Sequence, residues 1–303
     1  MTFVLIVGLG IQGKKRKKIL DQLKIKSISL DPDVPNADYK SLKLIPKKNL
    51  LEITHILICT PYGDRLKLLR FFLGFNVQIL IEKPLISNEK EKKFYVKNKN
   101  KIKNKIYSAY NHRFEASILK CREVLKEKKI GKIYFCNMTY GNGTAKNIKD
   151  SKWKNKNKGV IMDLLPHLLD TSFFLFNKIT KNKIVFFKKK FENKSPDYFK
   201  MNSTNNSFFM SLDVSYLYWK NYFKILIVGS KGMLELTGLP KWGETKLLVG
   251  KRKFPSGKPQ ILTYKYPAKD FTWIREIKYF IKGQFKPLDL SKEIEIYQII
   301  KKC

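Results

Sequence analysis

Near the N-terminus, an apolar run leads directly into three closely spaced glycines. The run Phe3–Val7 predicts a buried strand, and Gln12–Leu23 after it predicts a helix. The segment between them, Gly8–Gly13, reads GLGIQG and has the spacing of a dinucleotide-binding turn. In such a turn the first glycine permits the sharp bend, the second lets the backbone approach a pyrophosphate, and the third lets helix and sheet pack closely. This feature predicts a doubly wound parallel sheet.

An acidic residue follows at the position where such a turn needs one. Asp31 lies 18 residues after Gly13, at the end of the predicted strand Lys26–Leu30. A carboxylate there accepts both ribose hydroxyls of an adenosine and repels a 2′-phosphate, which favours NAD over NADP. The basic run Lys14–Arg16 softens that preference. The alternative is that Asp31 simply opens the turn Asp31–Asp33.

The first 110 residues continue in the rhythm of βαβ units. Three further strands are predicted at His55–Thr60, Val77–Glu82 and Lys105–Tyr110. Two further helices are predicted at Asp64–Phe72 and Asn88–Lys97, the latter with Ser87 as its N-cap.

After Tyr110 the pattern changes to one helix, long strands and two closing helices. Helices are predicted at Glu115–Lys126, Val160–Phe176, Phe271–Lys282 and Ser291–Lys301, with an exposed loop at Gly141–Lys158. In Ser207–Tyr218 apolar residues alternate with mostly polar ones, which predicts a strand with one apolar face. Further strands are predicted after Gly131 and at Lys224–Val228, Met233–Thr237, Lys246–Val249 and Ile261–Tyr266.

Composition excludes several classes of protein. The chain has 62 Lys plus Arg against 25 Asp plus Glu, a formal net charge of +37. Only seven of these are Arg, the residue that nucleic-acid recognition favours, so we read the charge mainly as lysine enrichment and expect no specific nucleic-acid partner. No apolar stretch reaches the roughly 18 residues of a membrane span. Four cysteines without a CxxC pair and three dispersed histidines predict a reducing cytoplasm and no metal site.

Two short motifs end the third and fourth predicted strands. These are Cys59-Thr60-Pro61 and Glu82-Lys83-Pro84. Open α/β sheets bind ligands outside the carboxyl ends of their strands, so both motifs are expected beside the glycine turn. An ammonium group at Lys83 is able to donate to a substrate hydroxyl or to share in proton transfer. The alternative for one lysine among many is a surface charge.

A third feature lies on the predicted apolar helix. Spacings of four and three residues place Asp163, His167 and Asp170 on one helix face. A carboxylate one turn away orients an imidazole and supports its charged form, which suits a general base that takes a proton from an alcohol. The alternative is a histidine packed in a core helix. Because Pro166 would break a helix interior, this segment is expected at a helix start or kink.

Together these motifs resemble the glucose-fructose oxidoreductase and inositol dehydrogenase (Gfo/Idh/MocA) family. The matching segments run in the family's order over residues 1–170 and include Asn111–Phe114, Trp153 and Gly159–Asp170. The resemblance implies an N-terminal Rossmann domain (1–112) that binds NAD, with NADP less favoured. It implies an α+β domain (113–303) whose large, mostly antiparallel open-faced sheet binds substrate and forms a homodimer or homotetramer.

The resemblance also implies roles for individual residues. The catalytic residues are expected to be Lys83, Asp163 and His167. The cofactor-binding residues are expected to be Gly8, Gly10, Ile11, Gln12, Gly13, Asp31, Thr60, Pro61, Arg65, Glu82 and Lys83. The substrate-binding residues are expected to be Asn111, Arg113, Trp153, Asp163 and His167. The Lys83–Pro84 bond is expected to be cis.

The expected activity is hydride transfer between NAD(H) and a secondary alcohol or ketone of a sugar, a sugar derivative or a cyclitol. The surplus positive charge adds anionic and nucleotide-linked sugars to the candidate substrates. Three positions depart from the family pattern: Arg65, Lys158 and Leu165. Lysine and leucine in place of glycines are expected to narrow or recharge the pocket. Two alternatives stay open, an NAD-binding sensor without turnover and a basic polyanion-binding protein.

Overall fold

The computed structural model describes residues 2–61, 65–151, 154–155, 158–177, 183–204, 208–283 and 285–303. They form two compact units, one of Met1–Asn111 with Thr272–Gln298 and one of His112–Phe271 with Ile299–Cys303. The first boundary lies one residue before the predicted one. The segment Thr272–Gln298, which the sequence places after the second domain's strands, groups with the first unit instead.

The first unit contains a five-stranded parallel sheet with helices between its strands. Its strands are β1 (Phe3–Val7), β2 (Lys26–Leu30), β3 (His55–Ile58), β4 (Gln78–Glu82) and β5 (Ile106–Ala109). The helices between them are α1 (Ile11–Gln22), α2 (Lys47–Glu52), α3 (Arg65–Phe72), α4 (Glu89–Lys97) and α5 (Lys99–Ile102).

The strand order is β2-β1-β3-β4-β5, so the chain reverses its direction of winding between β1 and β3. Every side chain of β1 and β3 is buried, because helices cover both faces of a parallel sheet. In open α/β sheets, ligands bind outside the carboxyl ends of the strands at such a reversal. Gly8 and Cys59 follow those two strands, which places the glycine turn at this point.

The second unit contains an eight-stranded sheet. Its helices are α6 (Ala116–Lys126), α7 (Ala145–Lys149), α8 (Val160–Asp163) and α9 (Leu165–Phe176). Its strands are β6 (Ile133–Gly141), β7 (Lys183–Lys189), β8 (Tyr198–Thr204), β9 (Phe209–Ser215), β10 (Tyr222–Gly229), β11 (Gly232–Thr237), β12 (Thr245–Lys251) and β13 (Gln260–Tyr266). Two further helices follow, α10 (Thr272–Ile281) and α11 (Leu290–Lys302).

This sheet has the order β13-β12-β11-β10-β6-β9-β8-β7, and only the β6–β9 pair is parallel. Burial alternates along β10, as the period-two pattern predicts for a sheet with one covered face. Met210, Leu212 and Val214 are fully buried on β9. The predicted fold class is confirmed: an α/β doubly wound parallel sheet and a larger, mostly antiparallel sheet.

Several local predictions were wrong. The N-cap of α4 is Asn88 and not Ser87, because the Asn88 side chain accepts from Glu91 N, while Ser87 donates to the Glu91 carboxylate. The helix predicted over Val160–Phe176 is broken at Leu164, and Pro166 lies in the first turn of α9. The short helix α7 lies in a region that the sequence predicts as loop, and the predicted residues Asp64 and Ser207 lie outside the described residues.

None of the helices in the described ranges is long and apolar enough to span a bilayer. Within the same ranges, no group of three His, Cys, Asp or Glu side chains is arranged to hold a metal ion.

Candidate functional site

In the first unit, the glycine turn is packed so tightly that two of its positions require glycine. Gly8 has a φ of +93°, and a Cβ there would lie 3.0 Å from Thr60 N. A Cβ on Gly13 would lie 1.9 Å from the Gly8 carbonyl oxygen. A side chain at Gly8 would press on the residues that follow β3, and one at Gly13 would push the first turn of α1 away from the Gly8 carbonyl. The close packing that the sequence predicts for these two glycines is present.

Gly10 differs because nothing among the described residues demands a glycine there. A Cβ at this position would have no heavy atom within 4 Å, and the φ of −63° suits any residue. Gly10 caps the N-terminus of α1, where the first amides have no intrahelical acceptor and the helix dipole favours an anion. The neighbouring Ile11 is 84% exposed. Such an open glycine at a helix N-terminus leaves room for a bound group to approach the backbone closely.

Asp31 is tied into the loop that carries these glycines. One carboxylate oxygen accepts from Leu9 N at 2.6 Å, and the other accepts from Asp33 N and Val34 N at 2.9 and 3.1 Å. Burial opposes its ionisation, but these three amides and the charge of Lys40 outweigh burial and lower the pKa of Asp31. Asp31 therefore opens the turn, as the alternative in the sequence analysis has it. It also fixes a negative charge beside Leu9.

The ends of β3 and β4 are joined by a buried arginine. The guanidinium of Arg65, 2% exposed, donates to the carbonyl oxygen of Pro84 at 2.9 Å and to that of Thr60 at 3.2 Å. Both partners are backbone atoms within the strand-end motifs. Arg65 thus connects the two motifs by hydrogen bonds within the first unit. The sequence predicts instead that it contacts the cofactor. Pro61 beside it is exposed.

Glu82 ends β4 and is likewise held from within. Arg16 Nε donates to Glu82 Oε1 at 2.8 Å, and both terminal nitrogens of Arg16 donate to Glu276 on α10 at 3.1 Å. Burial works against the charge of Arg16, and the two carboxylates raise its pKa.

Two further predicted site residues lie in the first unit. Lys83, directly after Glu82, is half-buried, and its bond to Pro84 is cis as expected. Asn111, buried at the end of the unit, donates to Thr272 Oγ1 at 3.1 Å.

In the second unit, the helix break at Leu164 sets the position of His167 in the first turn of α9. Its ring stacks on that of His112 with the centroids 4.5 Å apart, and the ring of Tyr140 lies edge-on at 5.6 Å. Tyr140 lies on the covered face of the sheet, and burial raises its pKa. His167 therefore belongs to an aromatic cluster in which an imidazole is held in place by ring contacts.

Asp163 and Asp170 have separate partners. Asp163, at the end of α8, accepts from Lys154 Nζ at 2.7 Å and from Tyr216 Oη at 3.0 Å. Asp170, 1% exposed, accepts from Arg113 Nε at 2.8 Å and from a second Arg113 nitrogen in a bidentate pair. The shared face predicted for Asp163, His167 and Asp170 assumed one continuous helix. The break puts Asp163 on a different helix from the other two.

Two of the three departures from the family pattern, Lys158 and Leu165, have contacts of their own within the second unit. Lys158 Nζ donates to the carbonyl oxygens of Ile300 and Lys301 at the end of α11, where cations stabilise free carbonyls. Leu165 is completely buried in the core of the second unit. Trp153, expected to bind substrate, lies outside the described residues.

Sequence analysis missed four residues that surround Asp163 and His167: Lys154, Tyr216, His112 and Tyr140. They lie on four separate segments, which the fold of the second unit brings together. His112 carried a signal, since it lies within the Asn111–Phe114 motif. Tyr140 and Tyr216 carried a weaker sequence signal. Both lie at apolar positions of predicted strands, where a buried hydroxyl needs a hydrogen-bond partner.

Residues 118–235, which include α8, α9 and the central strands, match the family model of the GFO/IDH/MocA C-terminal domain. This part of the chain is therefore similar to a Gfo/Idh/MocA C-terminal domain. The family resemblance drawn from the motifs is thereby confirmed over these residues. No curated protein sequence matches the chain.

Several solved structures are similar to the chain over nearly its whole length. A putative NADPH-dependent oxidoreductase from Desulfitobacterium hafniense matches with a TM-score of 0.81 and 13% identity, covering 99% of this chain and 93% of that one. Levoglucosan dehydrogenase in complex with NADH matches with a TM-score of 0.81 and 15% identity, covering 99% and 95%. An oxidoreductase from Agrobacterium radiobacter in complex with NAD+, L-tartaric acid and magnesium matches at 0.77 and 14%, covering 99% and 94%. At these identities the likeness shows the Gfo/Idh/MocA fold.

Proposed function

We propose that the chain is an oxidoreductase that transfers hydride between NAD(H) and a secondary alcohol or ketone of a sugar, a sugar derivative or a cyclitol. The observation that carries the proposal is Gly10, an open glycine at the N-terminus of α1, where no packing against the described residues requires the lack of a side chain. The family domain and the NADH complex of the structurally similar levoglucosan dehydrogenase support it.

The residues of the first unit fit a dinucleotide. The turn offers backbone amides at a helix N-terminus, the arrangement that binds a pyrophosphate. Beside it, Thr60 Oγ1 is buried and has no hydrogen-bond partner among the described residues. Such an orphaned hydroxyl at the reversal of the sheet suits a ligand with polar groups. The nicotinamide, when bound, supplies the carbon that accepts or returns the hydride.

Asp31 favours NAD over NADP in this proposal. Its carboxylate keeps one lone-pair direction for a ribose hydroxyl after accepting three backbone amides. Its lowered pKa keeps it ionised at neutral pH, so a 2′-phosphate would be repelled. A structurally similar protein is described as NADPH-dependent, and we propose that the fixed charge of Asp31 separates this chain from that preference.

His167 acts as the general acid and base. When an alcohol is oxidised, His167 takes the hydroxyl proton as the hydride leaves the same carbon, and it returns the proton in the reverse direction. Asp163 is held by Lys154 and Tyr216, so its carboxylate is fixed in this unit four residues before His167. Lys83 supplies an ammonium that donates to the reacting hydroxyl.

We further propose that residues 1–112 bind the cofactor and that residues 113–303 bind the substrate. We also propose that the protein is a cytoplasmic homodimer or homotetramer.

The test is turnover by wild type and by His167→Ala. The purified protein is first examined for bound dinucleotide, then mixed with NAD and a panel of aldoses, cyclitols and sugar nucleotides while NADH absorbance is followed. We expect reduction of NAD by wild type with at least one substrate, and a kcat lower by about 10² to 10⁴ in His167→Ala. NADH binding by the variant should match wild type, because His167 does not belong to the dinucleotide turn.

Two outcomes would count against the proposal. If wild type binds NADH but reduces NAD with no member of the panel, the chain is a sensor that responds to the cofactor. If His167→Ala turns over as fast as wild type, His167 is a packed core histidine and another group moves the proton.

A further inference from the structure

A lysine that the sequence analysis did not single out lies in the cluster around His167. Lys241 follows β11, in a short 3₁₀ helix formed by Pro240–Trp242. Its Nζ lies 3.5 Å from Tyr140 Oη, 4.5 Å from the centre of the Trp242 ring and 5.6 Å from that of the Tyr140 ring. Because Tyr140 also contacts His167, a single side chain separates this ammonium from the proposed acid/base.

The surroundings of Lys241 differ from those of two other cations near His167, Lys154 and Arg113. Lys154 and Arg113 are each neutralised by a carboxylate, Asp163 and Asp170 respectively. In the part of the chain that the structure describes, no carboxylate forms an ion pair with Lys241, and its contacts are aromatic rings and one hydroxyl.

The charge of Lys241 is therefore stabilised only partly by the protein. Burial lowers its pKa, and the carboxylates of Glu115, Asp270 and Asp163 offset part of that effect from a distance. Aromatic faces attract a cation less strongly than a close counter-charge does at a half-buried site. A half-buried ammonium in this position attracts an oxyanion brought by a ligand.

We propose that Lys241 binds an oxyanion, a carboxylate or a phosphate, on the substrate of the site around His167, so that the substrate is an acidic sugar derivative. This inference rests on the proposed oxidoreductase function and names the substrate class within it. Lysine suits the role because its ammonium is a compact point charge that serves either anion. The half-buried ring of Trp242, 4.5 Å from Nζ, is an apolar surface on which the ring of a sugar is able to lie.

The test compares matched substrates that differ in one acidic group. Hexoses, the corresponding hexuronates and hexose 6-phosphates are assayed with NAD, using wild type, Lys241→Met and Lys241→Arg. Methionine keeps the length and apolar stem of lysine and removes the charge. Arginine keeps the charge. The control is Lys265→Met, which removes an exposed lysine from β13 of the same unit, away from the cluster.

We expect wild type to prefer an acidic member of a set over the neutral hexose. In Lys241→Met, the ratio of kcat/KM for the acidic substrate to kcat/KM for the neutral one should fall about 10- to 100-fold. Lys241→Arg should retain most of that ratio, and Lys265→Met should retain all of it. Preference for the hexuronate assigns a carboxylate, and preference for the 6-phosphate assigns a phosphate.

Direct binding separates this inference from the function on which it rests. Calorimetric titration of NADH-loaded protein with the preferred acid should give a Kd at least tenfold weaker in Lys241→Met, with unchanged NADH binding and thermal unfolding. An acid-to-neutral ratio equal in wild type and Lys241→Met would overturn the role of Lys241 and leave the oxidoreductase proposal standing. Absence of NADH binding by wild type would overturn the proposed function instead.

Discussion

Among single residues, Asp31 shows how one side chain serves both the fold and the proposed cofactor preference. Its two oxygens are used by the amides of Leu9, Asp33 and Val34, which connect the glycine turn to the loop after β2. An amide in place of the carboxylate would turn an NH2 group toward at least one of those donors. The charge is therefore required for the loop as well as for discrimination against a 2′-phosphate.

We expect Asp31→Asn to lower the free energy of unfolding at pH 7, with the difference from wild type shrinking as the solution is acidified. The folded protein holds the pKa of Asp31 below its ordinary value. The stabilisation is thus complete above the unfolded-state pKa of about 3.9 and is lost as the pH falls through the folded value. Urea unfolding of both proteins between neutral and acidic pH measures this. A difference that stays constant or grows on acidification would show that the carboxylate charge does not hold the loop.

Residues whose role comes from local spacing were predictable from the sequence. Gly8 and Gly13 were predictable because a tight turn between strand and helix fixes both within six residues. Arg65 was not, because its acceptors at Thr60 and Pro84 belong to two strand ends that only the sheet brings together. Lys241 was missed for the same reason: its neighbour Tyr140 is about a hundred residues away in the sequence.

Among the elements, α10 is held to the first unit by a buried ionic network. Arg16 on α1, Glu82 at the end of β4 and Glu276 on α10 form one connected set, with Arg16 1% and Glu276 0% exposed. Trp273 of α10 adds a ring 4.9 Å from the Arg16 guanidinium. This network explains why a helix that follows all strands of the second unit in the sequence belongs to the first.

Glu276→Gln should therefore destabilise the protein. Arg16 would keep Glu82 but lose the second carboxylate, and hydrogen bonds to buried charged groups contribute about 1.5 to 3 kcal/mol each. We expect a loss of that size in the free energy of unfolding measured with urea. The matched control, Glu127→Gln, breaks an exposed ion pair with Lys129 and should change stability by less than about 0.5 kcal/mol. Equal effects of the two variants would mean that the network does not anchor α10.

The elements show both where sequence patterns succeed and where they fail. Pro166 predicted a helix start or kink within the apolar run, and α9 does begin there. The strands β7 and β8 were not predicted, because lysines interrupt the apolar alternation of β7, whose side chains are almost all exposed at the sheet edge. As an edge strand, β7 is held by backbone hydrogen bonds to β8. Such pairing does not require alternating apolar side chains, so the sequence pattern does not indicate the strand.

For the whole molecule, the dominant feature is the formal net charge of +37. Such an excess destabilises a compact chain through self-repulsion. Several lysines are used locally, as at Lys158 and Lys154, but the surplus of cations over carboxylates leaves most of them without a counter-charge in the protein. The charge therefore acts on the stability of the whole fold and attracts anions in general.

We expect added salt to stabilise the protein. Sodium chloride at about 0.15 M shortens the screening length to about 8 Å, which weakens repulsion between distant lysines more than it weakens close ion pairs. The midpoint of thermal unfolding should rise by several degrees between low and physiological ionic strength, as measured by circular dichroism. A midpoint that falls with salt would indicate that close ion pairs outweigh the net repulsion.

The central claim, that the glycine turn binds a nicotinamide dinucleotide, is tested most directly by calorimetric titration of NADH into wild type, Gly10→Val and the control Gly74→Val. Gly10 has open space around it, and Gly74 lies at an exposed site with only ordinary contacts, so both variants should fold as wild type does. The account predicts saturable binding by wild type and Gly74→Val, and binding at least 100-fold weaker by Gly10→Val. No binding by wild type, or equal binding by Gly10→Val, would contradict it.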